Sequence, residues 1–326
     1  MLTQIKTITS DASLLVHALS YQRLSNYRRF FGATSDAEVM GVYQWNEELS
    51  AAFFRTIALV EIVLRNKFHR AMSLFYGAVG TSDSLDWYMY VSLNPASRDK
   101  IKKMTHQRRG KQIVPRDPLP SPDAVISALT FGFWPHLLDL KTDIFQRDIN
   151  WGEILVKVLP GHRQQQPSYW RKLKHRDALF CRLELCDVLR NRIAHHEPIW
   201  KLGPLLSESR ARRNKTRIIQ ASALHNPSEA LSRLALLYTR ITELLAWLSP
   251  PVARHHESSI THIRCTHLLK LEVMMGFLKE SKVAEINLSE FKRLRSLLKT
   301  MRYVYRRKQP LLVKDDGRVI GYLTCQ

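Results

Sequence analysis

Apolar residues along most of the chain recur at spacings of three and four, which predicts helices rather than strands. A first helix is expected from about Asp11 to Phe31, stopping at Gly32. Ser35 then precedes Glu38 by three residues, the signature of a capping box. From Asp36 to Tyr76 there is no proline and one interior glycine, Gly41. The segment reads as one long helix, or two in near-continuity, ending at Gly77, with Leu59, Ile62, Val63 and Phe68 as the buried stripe of its second half. Asn94-Pro95 opens a short helix, followed by a basic stretch and an extended, proline-rich loop. Ser121-Pro122-Asp123 starts another helix, and the apolar run from Val125 to Leu138 is expected to be buried. Residues 150–167 read as loop-rich, ending in GHRQQQP.

A strong helix is expected from about Tyr169 to His195, with Leu179, Leu183, Cys186, Leu189 and Ile193 inward and Pro198 beyond its end. Asn226-Pro227 starts a helix reaching Leu248 before Pro250-Pro251. The double proline suggests a helical domain at 1–249 and a basic C-terminal extension at 252–326. That extension is read as two amphipathic helices, roughly 258–280 and 288–308, and a β-hairpin about Asp316-Gly317. The expected class is all-α.

Composition adds a functional clue. Fifty Lys and Arg oppose 29 Asp and Glu, a net charge of +21. Such an excess attracts polyanions, so nucleic acid or an anionic membrane surface are the candidate partners, against the alternative of a merely basic protein. No run of apolar residues is long enough to predict a spanning helix. The first residues lack the pattern of a secretory signal, and a cytoplasmic location is expected. The four cysteines form no CxxC pair, so neither a disulfide framework nor a zinc site is expected.

The chemistry-bearing string is LCDVLRNRIAHHEPIW, residues 185–200. On a helix, Asn191 and His195 share a face, and Arg190 is long enough to reach the same groove. Cleaving a phosphodiester beside a 2′-hydroxyl needs a group that moves a proton and a group that holds the phosphate. Histidine suits the first, arginine the second, and asparagine can orient either. Taken by residue type alone, the set also fits an ordinary helix surface. His195-His196-Glu197 contains no HExxH, and adjacent histidines on a helix diverge by about 100°, so no metal and no other cofactor is expected.

The phrase RNRIAH, with Asn following Arg, resembles the Arg-(four to six residues)-His motif of HEPN ribonucleases. RNRIAHHEPIW resembles the signature of the Abi-like, abortive-infection group within that superfamily. Further landmarks agree in order: LSYQRLSNY, VYQWNEELSAAFF, VEIVLRNKFHRAM and ISALTFGFWPHLL. Together they span roughly residues 13–248. The resemblance implies a HEPN-like helical bundle, metal-independent endoribonuclease activity, a toxin-like role in phage defence, and a site formed where two motifs meet across a homodimer. By position, Arg190, Asn191 and His195 take the motif roles, and His196 also has a permitted spacing. Glu61, Arg65, Asn66 and His69 form a second cluster. RNKFH is one residue short of the motif, so these are read as supporting residues or as a helix-surface ion pair.

RNA contact is expected in three basic stretches, 98–116, 210–217 and 292–308. They are represented by Arg108, Arg109 and Lys111, by Arg212 and Arg213, and by Arg302, Arg306 and Arg307, with Tyr303 and Tyr305 as stacking candidates. The expected partners are RNA as substrate or regulator, a second copy of the chain, and an antitoxin or inhibitor; no membrane partner is expected. A non-catalytic RNA-binding HEPN protein and a basic module docking an acidic protein are the competing readings.

Overall fold

The computed structural model describes residues 12–77, 85–211, 216–278, 284–306 and 311–323. It is mostly helical, with short strands only. The chain divides into two compact units. One comprises residues 1–52, 224–235 and 263–326, and the other 53–223 and 236–262.

In the first unit the helix expected from about Asp11 is two helices, Ala12–Leu19 and Tyr21–Phe31, broken at Ser20 with φ 77°. Residue 11 lies outside the described residues. Gly32, at φ 65°, closes the second helix in the left-handed conformation. The Asp36–Gly77 helix is unbroken. Its capping box forms as expected: Ser35 Oγ accepts the Glu38 N–H at 3.1 Å, and Glu38 returns a carboxylate oxygen to the Ser35 N–H. Gly41 has a packing reason, because a Cβ there would stand 1.8 Å from the Phe277 carbonyl oxygen. Trp45, fully buried, donates Nε1–H to the Leu268 carbonyl at 2.9 Å.

The helix expected over 258–280 is interrupted. Ile260–Leu268 and Leu271–Leu278 replace it, and the later helix is Leu294–Arg306. Leu311–Asp315 pairs antiparallel with Arg318–Leu323 about Asp316-Gly317, and Ala284–Asn287 adds a third strand, parallel to the first. A small core of Ile286, Val304 and Leu311 holds the Leu294–Arg306 helix to this sheet.

The second unit packs around aromatic residues. Phe68 stacks on Trp134, and Trp87, Phe131 and Phe133 are all buried. The long helix contributes Phe53, Ile57, Val60, Leu64 and Phe68, a stripe at spacings of four and three. This corrects the expected phase: Phe68 is inward, but Ile62 is 46% exposed and Leu59 and Val63 are only half-buried. The sequence there is apolar nearly all round, so periodicity could not select the inner face.

Two further expectations need correcting. Residues 150–167 are not simply loop, since Trp151–Val158 is a helix with Trp151, Ile154, Leu155 and Val158 buried. The helix expected from Tyr169 is divided at Lys172 into Pro167–Arg171 and Leu173–Ala194. Pro250 ends the Pro227–Leu248 helix and also opens Pro250–Glu257, where proline in the first turn is favourable.

Candidate functional site

The Leu173–Ala194 helix buries Leu179, Leu183, Cys186 and Leu189, with Ile193 half-buried near its end. Inward packing of that stripe leaves Asp187, Arg190 and Asn191 half-buried at the rim. Asp187 is three residues before Arg190 and four before Asn191, so the three share one side of the helix.

The helix ends by a Schellman closure. His195 is the cap, at φ −91° and ψ 10°, and donates its N–H to the Asn191 carbonyl at 3.0 Å. His196 adopts φ 55° and donates to Ile193 O at 2.9 Å, and Glu197 donates to Arg192 O at 2.8 Å. Glycine normally occupies the left-handed position, where a side chain costs about 1–2 kcal/mol. The exit is anchored on its inner side. Arg192 pairs with Glu197 at 3.2 Å and donates to Pro198 O at 3.1 Å, while Ile199 and Trp200 are buried. Both histidines are exposed. Only His195 continues the turn that begins at Asn191, because the backbone reverses hand at His196.

Arg190 donates Nη1–H to Asn191 Oδ1 at 3.2 Å. Its charge also acts on carboxyls from two helices. Burial raises the Glu61 pKa, and the Arg190 and Arg65 guanidiniums pull it back. Burial likewise raises the Asp187 pKa, against the pull of Lys100, Arg190 and His136. Gly132, inside the FGFW landmark, leaves room for this carboxyl: a Cβ at that position would lie 3.3 Å from Asp187 Oδ2. Asp187, Lys100, His136 and Gly132 were missed in the sequence. Asp187 alone carried a signal there, its helical spacing from Arg190; the others arrive through tertiary packing.

The second cluster disperses. Glu61 feels the charges of Arg190 and Arg65, whereas Arg65 donates Nη1–H to the Ser127 carbonyl at 3.2 Å. Asn66 is exposed. His69 Nδ1 accepts the Trp87 Nε1–H at 3.0 Å, so the ring proton belongs on Nε2, which stands 3.4 Å from Asp123 Oδ1. Burial lowers the His69 pKa, partly offset by Asp123. His69 is thereby anchored to Trp87 and Asp123 of the 85–130 region.

The basic stretches also separate. Arg108, Arg109 and Lys111 are exposed. Arg210 pairs with Asp139 and lies 3.6 Å above the Phe180 ring, and Arg217 pairs with Glu184 at 3.1 Å. Arg212, Arg213 and Arg307 lie outside the described residues, as does the side chain of Tyr305. Arg302 and Arg306 are exposed on the Leu294–Arg306 helix of the other unit, while Tyr303 packs against the small core there. Burial pushes the Cys181 thiol up to about 11 and Cys186 up to about 12, which removes both as nucleophiles at neutral pH. Among the described residues no group of three His, Cys, Asp or Glu is placed to hold a metal ion, and no helix is long and apolar enough to cross a membrane.

No curated protein and no solved structure matches the chain. A family model described as Abi-like protein matches residues 15–201, more than half of the 326-residue chain and inclusive of the Arg190–Trp200 segment. The chain belongs to the Abi-like protein family.

Proposed function

We propose that this protein is a metal-independent endoribonuclease of HEPN type, acting in the cytoplasm as a toxin-like effector of abortive infection. Family membership supports the role in abortive infection. The observation that carries the chemistry is the placing of half-buried Arg190 and Asn191 and exposed His195 in the last turn of one helix, with Arg190 held by Asn191 Oδ1 at 3.2 Å.

In the proposed reaction His195 takes the proton from a ribose 2′-hydroxyl, whose oxygen attacks the adjacent phosphorus. The bond to the 5′-oxygen breaks, and that oxygen must regain a proton. Arg190 neutralises the charge gathering on the non-bridging oxygens. Asn191 Oδ1 holds the guanidinium at 3.2 Å, and its charge acts on the carboxyls of Glu61 and Asp187 before substrate arrives. One chain offers one complete motif, so the second proton-transferring histidine comes from a second copy related by a two-fold axis. Ile62 and Val188, 46% and 47% exposed, supply apolar surface for that pairing.

The products test the reaction. Cleavage should leave a 2′,3′-cyclic phosphate, and a 2′-deoxy sugar at the scissile position should block it. Products with a 5′-phosphate, or cleavage across the deoxy position, would refute 2′-hydroxyl attack.

A further inference from the structure

The basic stretch within residues 94–120, expected as a solvated basic helix followed by an extended loop, leaves its helix at Thr105 and continues as a two-stranded ribbon. His106–Arg109 runs antiparallel to Gln112–Pro115, turning at Gly110 with φ 62°. Its base is closed where the Arg116 N–H donates to Thr105 O at 2.9 Å. A strand lying on a protein body buries alternate residues. Here the neighbours Arg108 and Arg109 are both exposed, and so are Gln112 and Ile113, the latter at 72%. The outer part of the ribbon therefore has solvent on both faces.

Residues 100–116 contain seven Lys or Arg and no Asp or Glu. An isolated two-stranded hairpin is marginally stable in water, and like charges on it repel, so this charge is not explained by the fold. The same residues contain no Phe, Tyr or Trp, which leaves no platform for stacking bases. The helix that leads into the ribbon is within electrostatic reach of the candidate site. Lys100, on that helix, acts on the carboxyl of Asp187, three residues before Arg190. From Lys100 the helix runs about 8 Å to Thr105, and the ribbon extends about 13 Å beyond. That length matches several phosphates of a single strand. An anionic membrane fits less well, since the tip carries no aromatic residue to enter the headgroup layer.

We infer that the 106–116 ribbon is a clamp for the phosphate backbone of RNA flanking the scissile bond, through Arg108, Arg109 and Lys111, adding affinity and length dependence without sequence preference. The inference rests on the RNA-cleaving reading of the site, but its test separates the two. The full-length His195→Ala protein, with and without Arg108→Gln, Arg109→Gln and Lys111→Gln, is titrated with a long unstructured RNA, an RNA stem and DNA of the same sequence across a salt series. The three changes should reduce the slope of log affinity against log salt by about 0.7 per contact, about 2 in all, and weaken binding roughly tenfold. DNA should bind with a similar dependence on the ribbon. Arg108→Lys with Arg109→Lys, which keeps the charge, should bind like the parent. In the chain with His195 intact, the three changes should raise KM for long RNA and leave tetranucleotide cleavage unchanged. Unchanged slope and affinity in a protein that still cleaves RNA overturns the clamp alone. Ribbon-dependent binding without cleavage keeps the clamp and sinks the nuclease reading. Ribbon-dependent binding to anionic vesicles with none to RNA overturns both.

Discussion

His195 closes the last turn of its helix on Asn191, donating its N–H to the Asn191 carbonyl at 3.0 Å, while His196 turns into the left-handed region at φ 55°. Two adjacent histidines that the sequence leaves equivalent therefore differ in backbone conformation. In the proposed mechanism His195 transfers the proton and His196 shapes the helix end. His196→Gly should relieve backbone strain and stabilise the protein by about 0.5–1 kcal/mol, with cleavage retained. Denaturant midpoints and initial rates check this. A large loss of rate in His196→Gly would move the catalytic role to His196.

Asp187→Asn should separate stability from activity. Burial raises the carboxyl's pKa, so the ionised form is disfavoured in the folded state. Stability from such a group falls as pH rises through the window between its unfolded and folded values, and an amide removes that cost. The variant should melt higher at neutral pH and cleave more slowly, because Arg190 loses the charge of one of the two carboxyls it acts on. A variant that melts lower at neutral pH, or cleaves as fast as the parent, would contradict this account of Arg190.

Histidine burial predicts acid sensitivity. His69, His162 and His256 each have a pKa lowered from 6.5, with burial the leading cause in all three. His162 lies 4.8 Å from the rings of both Trp170 and Trp247, and His256 Nε2 is 3.1 Å from the Tyr238 hydroxyl. Below 6.5 the unfolded chain binds protons that the folded chain refuses. Stability is therefore complete above that pH and declines as pH falls through it. The melting temperature should hold above pH 6.5 and drop as the pH falls below it, a window set by these three groups. His256→Gln should make the fall shallower, and an unchanged melting temperature over this range would contradict the assignment.

The predicted pairing of two chains can be read from mixed proteins. His195→Ala and Arg190→Ala chains, each weak alone, should give activity on mixing that differs from either parent if the site is composite. Full wild-type activity in a species shown by light scattering to be monomeric would rule out the pairing.

Much of the fold was legible because local rules suffice. The Ser35–Glu38 capping box, the unbroken Asp36–Gly77 helix and the Asn94, Ser121 and Asn226 starts each depend on a few neighbouring residues. The phase of the long helix was not legible, because Leu59, Ile62 and Val63 are as apolar as the residues that are actually buried. The Trp151–Val158 helix was missed although its buried residues keep helical spacing; Gly152 and the following GHRQQQP masked the pattern. Gly152 has its own reason, since a Cβ there would meet the Pro167 carbonyl oxygen at 2.7 Å. The ribbon was hidden because its first strand, His106–Arg109, is polar throughout, so only Ile113 and Val114 of the second strand are β-prone. At the site, Arg190, Asn191 and His195 were named from one string, and Asp187 was readable there by its helical spacing, but the charges of Lys100 and His136 reach Asp187 only through packing.

The most direct test of the central claim is the cleavage rate of RNA by purified protein in excess chelator, compared with His195→Ala. The wild type should cleave without added metal, and His195→Ala should remain folded and be slower by about 10²–10⁴-fold, the range for loss of a general acid–base group. A strict requirement for a divalent ion, or equal rates for the two proteins and for a His195→Ala/His196→Ala double variant, would contradict the account.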